Sequence, residues 1–435
     1  MTTPATSPPR VLGFWAAVSI VMGNMIGSGV FLLPASLAAY RGLSLAGWLV
    51  SAAGAVMLAL VFARLSRQFP AAGGLYAYTR AAFGDTAGFL VAWGYWLSTV
   101  GTLAALAVAL VGYLDPFVPS LVRTPPAAAL LAIATIWIVI GVNAAGVALA
   151  GRVQIATTAL KLLPLVVVGL GGLFFLDTTA FALPASDTTP LGSQLMAVVT
   201  LTLWAFLGLE CATIPAASVR DPARTIPRAT IVGTVLTAIV YIVSTVGVMS
   251  LVPPEALASS TAPFADGARR LFGESGGALV ALGAAVSCFG ALNGWALVVG
   301  QLPMAAAEDG LFPRAFGRIS QRGTPAAAMI VGGIMSTVLV AMNYSRGLVE
   351  LFTFIILLCT LSTLVPYVFC SLAVWLLPGQ PAPSGATSVV STFAFLYSIL
   401  AIIGAGAETV LYGFVLLLCG LPLLVWLRRT GAGPG

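Results

Sequence analysis

Two ionisable side chains lie inside long apolar segments, where other charges are scarce. Lys161 is the only lysine in the chain of 435 residues, and it follows Arg152, which marks the inner end of its segment, by nine residues. Glu210 is the only acidic residue near the middle of such a segment. A charge at the centre of a bilayer costs about 2.5–3.5 kcal/mol on insertion scales, so both residues are candidates for function.

Each of these residues has more than one interpretation. The side chain of Lys161 has three possible roles. It snorkels, with its ammonium at the inner interface, it carries a transported proton, or it provides a permanent positive charge where another transporter binds Na⁺. Glu210 is either a protonated acid that hydrogen-bonds free backbone groups, a proton acceptor, or a residue that couples the bent half-helix to the substrate state.

The first apolar segment contains a stretch that makes a poor continuous helix, residues 23–34, with glycines at Gly23, Gly27 and Gly29 and a serine at Ser28. Each glycine costs roughly 1 kcal/mol relative to alanine in a helix interior. A break at mid-membrane depth frees N–H groups, which lipid cannot satisfy and which suit a carboxylate. The alternative is that the glycines only allow close packing of helices.

The sixth apolar segment carries a similar interruption, at Gly208 and Glu210. Two interrupted helices, the first and the sixth, are what an inverted repeat of five plus five helices produces, and their breaks then face a binding site near the midplane. Trp204 precedes the second break and Trp295 lies mid-span in the eighth segment. These tryptophans either pack in the core or stack on a substrate and act as a gate.

The composition excludes several other classes of protein. The chain is 60% hydrophobic and 7% charged, which no soluble domain of this size resembles. It has no histidine, no paired carboxylates inside the apolar segments and no metal-ligand spacing among its five cysteines. We therefore expect no enzyme, no metal, no cofactor and no nucleic-acid partner. A channel would need charged or carbonyl rings that repeat around a pore.

Twelve segments are long enough to cross the bilayer core, which needs about 20 residues. They are residues 12–40, 44–68, 86–114, 127–146, 153–176, 195–218, 229–252, 278–306, 326–344, 349–377, 388–406 and 409–427. With the N-terminus inside, thirteen arginines fall on the inner side and five in outer loops, so the positive-inside rule places both termini in the cytoplasm.

The fold predicted from these segments is an all-α polytopic membrane protein of twelve helices with broken helices 1 and 6. We expect one transporter domain over residues 1–435, with inverted repeats over about 11–176 and 195–377 and two extra helices over about 388–427. The first ten residues lack the apolar core of a signal peptide. We expect a multi-pass protein of the cell (inner) membrane.

Several motifs together resemble one family, the amino acid/polyamine/organocation transporters, and within it the bacterial arginine/agmatine and putrescine/ornithine antiporters. The matching stretches are residues 23–34, 70–84, 95–96, 152–154 (Arg-Val-Gln), 202–210 (Thr-Leu-Trp-Ala-Phe-Leu-Gly-Leu-Glu), 294–295 and 309–313 (Asp-Gly-Leu-Phe-Pro), with a weaker echo at 363–367.

The resemblance implies roles for particular positions. Backbone groups around Gly27, Ser28 and Gly29 would hold a substrate carboxylate, and carbonyls of Met25, Trp204 and Leu207 would hold its ammonium. Trp204 and Trp295 would pack on the substrate side chain. Tyr95 would help to close the outer gate, and Tyr76 and Glu210 match positions linked to pH sensing or gating.

Three positions depart from the arginine antiporters in the expected side-chain subsite. Leu103 and Leu106 replace an asparagine and a methionine of the third helix, and Cys359 replaces a serine of the tenth. Ser98 and Thr99 leave some polar atoms nearby. A guanidinium left unpaired in so apolar a pocket is costly.

Lys161 is a fourth departure, because the L-type transporters of this superfamily have a lysine in the same Lys-Leu-Leu context of the fifth helix. There it resembles a built-in replacement for Na⁺. The sequence thus favours a Na⁺-independent amino-acid transporter that works by alternating access, with a neutral or hydrophobic substrate and either proton coupling or exchange. The alternatives are a cationic amino acid or polyamine antiporter, or a transport-inactive sensor. A homodimer is compatible with the resemblance.

Overall fold

The computed structural model describes residues 10–176, 181–182, 190–345 and 349–429, the side chains of 349–360 excepted. Within these ranges the regular structure is helical, and the one exception is an isolated bridge between Leu12 and Val219. That bridge joins the start of the first span to the end of the sixth, through the bonds from Leu12 N–H to Ser218 O (2.9 Å) and from Arg220 N–H to Leu12 O (2.8 Å).

Twelve spans are present in the described part of the chain. Ten helices and one bent pair are long and apolar enough to cross a bilayer, and Val349–Leu376, with 28 residues, is the twelfth span. The spans are: 1, Phe14–Met25 with Gly29–Ala38; 2, Leu43–Gln68; 3, Asp85–Tyr113; 4, Pro125–Ala144; 5, Val147–Leu173; 6, Leu191–Leu203 with three short 3₁₀ turns; 7, Pro222–Leu251; 8, Glu274–Glu308; 9, Ala326–Asn343; 10, Val349–Leu376; 11, Gly385–Gly404; 12, Ala407–Leu418 with Leu421–Arg429.

Both predicted breaks are confirmed. The halves of span 1 meet at an angle of 45°, with Ile26 in an extended conformation between them. Span 6 stops being α-helical at Leu203 and continues as 3₁₀ turns over Trp204–Phe206, Cys211–Thr213 and Ala216–Ser218.

Gly208 makes close approach of the two breaks possible. Its φ is +106°, a conformation that side chains disfavour. A Cβ at this position would lie 3.1 Å from the backbone carbon of Asn24 in span 1. The glycine therefore allows the two interrupted backbones to meet at the centre of the molecule.

The packing of the spans has the pairing expected of an inverted repeat. Span 2 packs on span 7, and span 3 on span 8, each pair relating one half to the other. The contact of span 5 with span 8 has its counterpart in the contact of span 10 with span 3. In the same way, the contact of span 1 with span 7 corresponds to the contact of span 6 with span 2. The all-α fold with broken helices 1 and 6 is thus present, while the repeat boundaries stay predictions.

Shorter helices lie at the ends of the spans. Leu75–Phe83 follows span 2, and Pro254–Ala258 and Pro263–Phe272 lie between spans 7 and 8. The core draws on the inward faces of most spans, spans 1, 2, 3, 6, 7, 8 and 10 among them, whereas leucines such as Leu130 and Leu163 point outward and are more than 60% exposed. An outward apolar surface of this kind is what a bilayer covers.

Candidate functional site

A cavity of about 380 Å³ lies between the breaks of spans 1 and 6. This volume suits a small amino acid or amine. It is lined by Asn24, Met25, Gly27, Ser28, Gly29, Val30, Leu33, Thr102, Leu106, Leu201, Trp204, Ala205, Leu207, Trp295 and Thr363.

Span 1 presents free backbone donors to this cavity. The second half-helix begins at Gly29 with Ser28 as its cap, and no side chain caps it. Among the described residues, the N–H groups of Ser28, Gly29 and Val30 have no backbone acceptor. These donors stand at the positive end of a helix dipole, where a carboxylate binds favourably.

Lys161 lies behind the break of span 1, and its side chain is fully buried. Its Nζ donates to the carbonyls of Gly23 (2.8 Å), Ile26 (2.6 Å) and Ser287 (3.3 Å). Ser287 Oγ adds bonds to Ile26 O (3.2 Å) and Gly27 O (3.1 Å). The ammonium therefore satisfies carbonyls that the broken helix frees, in the manner of a bound cation.

The helix that carries Lys161 begins earlier than the sequence indicates. It starts at Val147 instead of 153, which puts Lys161 one residue past the midpoint of span 5. At that depth the ammonium is engaged with three carbonyls and does not return to the inner interface along its stem. The structure therefore does not support the snorkelling interpretation.

Glu210 lies at the break of span 6 and is also fully buried. Its two carboxyl oxygens accept hydrogen bonds from the hydroxyls of Tyr95 in span 3 and Tyr367 in span 10. The Tyr367 hydroxyl in turn accepts from the N–H of Gly208 (3.4 Å). The acid thus joins three spans through hydroxyl donors, with no cation within salt-bridge distance in the described residues.

Tyr241 is a site residue that the sequence analysis missed. Its hydroxyl lies 2.8 Å from the carbonyl of Met25 and 3.0 Å from that of Ala205, so one side chain of span 7 bridges both breaks. It is fully buried and packs on Trp48 with ring centroids 5.1 Å apart. The available signal was a lone tyrosine in the middle of an apolar span.

The two predicted gate tryptophans both line the cavity. Trp295 packs on Tyr95 with ring centroids 6.3 Å apart, and the hydroxyl of Tyr95 donates to Glu210. The Glu210 carboxyl therefore lies behind these two aromatic rings, away from the cavity. Asn24 also lines the cavity, and neither atom of its buried amide has a partner in the described residues. An unpaired buried amide is costly unless a ligand or water meets it.

The family model for amino acid permeases matches residues 12–425. The chain belongs to this family of transporters. It is 32% identical to the cadaverine/lysine antiporter of Escherichia coli K12, over 92% of this chain and 91% of the relative. It is 32% identical to the putrescine transporter PotE of Haemophilus influenzae, over 93% and 94%, and 33% identical to a putative arginine/ornithine antiporter of Bacillus subtilis, over 82% of each chain.

The fold is shared with a solved structure of low sequence identity. The crystal structure of MhsT in complex with L-phenylalanine superposes with a TM-score of 0.64, at 14% identity, over 92% of this chain and 99% of that one. The protein is therefore a multi-pass membrane transporter of the amino acid permease family.

Most residues predicted to bind substrate meet at the cavity, but three of the described ones do not line it. Ser98 and Thr99 are buried and donate to carbonyls of their own helix (2.9 and 2.7 Å), and Leu103 is fully buried. Span 3 lines the cavity through Leu106, which the sequence analysis had placed in the side-chain subsite, and through Thr102. Cys359 lies outside the described side chains, and Thr363, one turn along span 10, lines the cavity.

Tyr76 lies away from the cavity, in a cluster that the sequence analysis did not detect. Its hydroxyl donates to Asp309 Oδ2 (2.8 Å), and Arg80 pairs with both Asp309 (2.7 Å) and Asp85 (2.8 Å). Burial, with the Asp309 charge adding to it, raises the pKa of the Tyr76 phenol well above its usual value. The phenol is therefore a neutral hydrogen-bond donor at physiological pH.

Proposed function

We propose that the protein is an antiporter that exchanges a cationic amino acid for another or for a diamine, by alternating access and without Na⁺. The observation that carries this proposal is the cavity of about 380 Å³ between two broken spans, with free N–H groups at one end and tryptophans Trp204 and Trp295 at its walls. The substrate class is supported by relatives named as antiporters or transporters of lysine, cadaverine, putrescine, arginine and ornithine.

The amino-acid substrate binds through its invariant groups. Its carboxylate accepts from the N–H groups of Ser28 and Gly29, and its α-ammonium donates to the carbonyls of Met25 and Leu207. The distal ammonium lies against the face of Trp204 or Trp295, where a desolvated cation–π contact contributes up to about 2 kcal/mol. A diamine lacks the carboxylate and uses only the ammonium and aromatic contacts.

Lys161 acts in this proposal as a permanent cation that orders the break of span 1. Its three carbonyl partners belong to spans 1 and 8, so the charge fixes one half of the substrate site without a dissociable ion. Glu210 couples the break of span 6 to spans 3 and 10. We place the arginine-rich ends of the spans, and both termini, on the cytoplasmic side of the cell membrane.

A neutral amino acid is the second candidate substrate. It is favoured by the apolar lining of the cavity, where Leu33, Leu106, Leu201 and Leu207 contribute and where the described residues supply no acid. A cationic side chain then has only aromatic faces and neutral dipoles to replace its water, a costly exchange. This lining is the reason why both classes belong in the same experiment.

The test begins with thermal shifts of the purified protein against the twenty amino acids, agmatine, putrescine, cadaverine and ornithine, since stabilisation follows occupancy. The hits then enter proteoliposome exchange, with choline replacing Na⁺. We expect lysine, arginine, ornithine or a diamine to drive counterflow of one another. Exchange confined to leucine-like or aromatic substrates would replace the proposal by the neutral candidate, and binding without exchange would indicate a sensor.

A further inference from the structure

A second, separate cavity lies where the ends of spans 2, 7 and 11 meet on the arginine-rich side, and its volume is about 350 Å³. Its polar wall contains Arg64, Arg67 and Thr387, and its apolar wall contains Leu60 and Val390. We propose that this cavity binds the phosphate headgroup of an anionic phospholipid of the same leaflet, with an acyl chain along the apolar wall.

The charges of this cavity are not neutralised by the protein. Within the described part of the chain, neither Arg64 nor Arg67 has a carboxylate within 4.0 Å. Arg64 Nη1 has one distant partner, Thr387 Oγ1 at 3.4 Å, and its Nε is buried without an acceptor. A guanidinium in this state lacks an anion that offers two oxygens to its planar donor fork, and a phosphate offers two such oxygens.

Two further donors point to an anion in the same cavity. Ser391 is fully buried, lines the cavity, and its Oγ has no partner in the described residues. Span 11 begins at Gly385, and the Oγ of its cap Ser384 already accepts from the N–H of Thr387, so the 20-residue helix contributes the positive end of its dipole at the cavity wall. Arginines, a hydroxyl and a helix N-terminus thus converge on one volume.

The position selects a lipid over a soluble anion. The arginine-rich side is the predicted cytoplasmic side, where the leaflet carries anionic headgroups and basic pockets between helices bind them. Leu60 is 38% exposed beside Arg64 and faces outward, so a ligand with both a phosphate and a hydrocarbon chain satisfies both walls. Snorkelling of Arg64 into water would leave the buried Nε still without an acceptor.

The bound lipid would connect the periphery to the transport core. Span 2 contacts span 6 through Ser51 Oγ and Thr202 Oγ1, 2.7 Å apart, and span 7 carries Tyr241, which bridges both breaks. Span 11 lies outside the predicted repeats. A phosphate held by spans 2 and 11 therefore ties this outer helix to span 2, which contacts span 6 at the substrate site.

The test uses the full chain, delipidated in detergent, with melting temperature measured against added lipid. We expect phosphatidylglycerol to raise the melting temperature by several degrees, and phosphatidylcholine of the same chain length to have no such effect. Each arginine near a headgroup contributes about fivefold in affinity, so the R64Q/R67Q double variant is expected to need about 25-fold more phosphatidylglycerol for half of the shift.

The matched control is R322Q, which removes an exposed arginine that does not line the cavity and should keep the wild-type lipid response. R67Q alone serves if the double variant does not fold, because Arg67 is exposed, and it should shift the titration about fivefold. Equal responses of R67Q and wild type to phosphatidylglycerol would overturn the proposal. Inorganic phosphate giving the full shift would overturn the lipid as the ligand and indicate a soluble anion.

Discussion

The breaks of spans 1 and 6 are related by the inverted repeat, yet they are held in opposite chemical ways. At span 1 the freed carbonyls of Gly23 and Ile26 surround a cation, Lys161. At span 6 an acid, Glu210, is surrounded by the hydroxyls of Tyr95 and Tyr367. Both charges are fully buried. The same backbone interruption therefore uses a charged donor on one side and neutral donors on the other.

This difference suggests different tasks for the two breaks. Lys161 donates to carbonyls of two spans. Losing that charge removes the donor of the Gly23 carbonyl and leaves the Ile26 carbonyl with Ser287 Oγ alone. Glu210 accepts only from neutral hydroxyls, so both its ionised and its protonated form can be hydrogen-bonded in place. The break of span 1 is thus suited to a fixed structure and the break of span 6 to a change of protonation.

The largest expected effect is that of K161M, which keeps the apolar stem and removes the ammonium. Losing the charge-assisted hydrogen bonds to the carbonyls of Gly23 and Ile26 costs about 1.5–3 kcal/mol for each bond, so exchange in proteoliposomes should fall at least a hundredfold. T158V is the control, because it removes a neighbouring hydroxyl of the same span. Wild-type exchange rates for K161M would show that the charge does not organise the break.

The second effect is expected for E210Q, which keeps the shape and can still accept from Tyr95 or Tyr367. We expect an exchange rate reduced about tenfold and nearly independent of pH between 5 and 8, measured as initial rates in proteoliposomes. Wild-type protein serves as the pH-dependent reference. If the pH profile of E210Q matched that of the wild type, Glu210 would be a structural acid and another group would carry the proton.

A smaller effect is expected for Y241F, because the phenyl ring keeps its packing on Trp48. The variant removes the hydroxyl near the carbonyls of Met25 and Ala205, and loss of a buried hydrogen bond costs about 1 kcal/mol or more. Substrate affinity should weaken about five- to tenfold by thermal shift, with the fold retained. An unchanged affinity would mean that the bridge between the two breaks does not position the substrate.

The smallest effects are expected from removing one supporting hydroxyl at each break, that of Ser287 at span 1 and that of Tyr367 at span 6. S287A removes bonds to Ile26 and Gly27 while Lys161 still holds Ile26, and we expect at most about a threefold loss of exchange. Y367F removes one of two donors to Glu210 and should shift the pH profile while S287A does not. A pH shift in S287A, or none in Y367F, would contradict the division of tasks between the breaks.

Much of this site could be predicted from single residues. The glycines of span 1, the acid and glycine of span 6 and the lone Lys161 are each unfavourable in a continuous membrane helix, and unfavourable residues stand out in a sequence. Trp204 and Trp295 were identified as mid-span aromatics, and both line the cavity. Tyr241 and Thr363 could not be identified in this way, because hydroxyl-bearing residues are common in membrane helices and only their contacts distinguish them.

The third span shows that matching its sequence to that of relatives does not fix which of its side chains face the cavity. Ser98, Thr99, Leu103 and Leu106 were expected at the cavity, but of these only Leu106 lines it, together with Thr102. Neighbouring helix positions differ by about 100° around the axis, so one residue of offset turns a side chain away from a site. The rotation of span 3 is set by its packing on spans 8 and 10, which no local pattern of apolar residues specifies.

The sequence by itself indicated that this chain crosses a membrane many times, that helices 1 and 6 are broken, and that Lys161 and Glu210 are ionisable residues inside membrane spans. These features follow from hydrophobicity and from local backbone preference, which are properties of single segments. Only the tertiary structure decided which atoms meet. The partners of Lys161, Glu210 and Tyr241 come from spans far apart in the chain, because packing between helices, and not the preference of any one helix, brings them into contact.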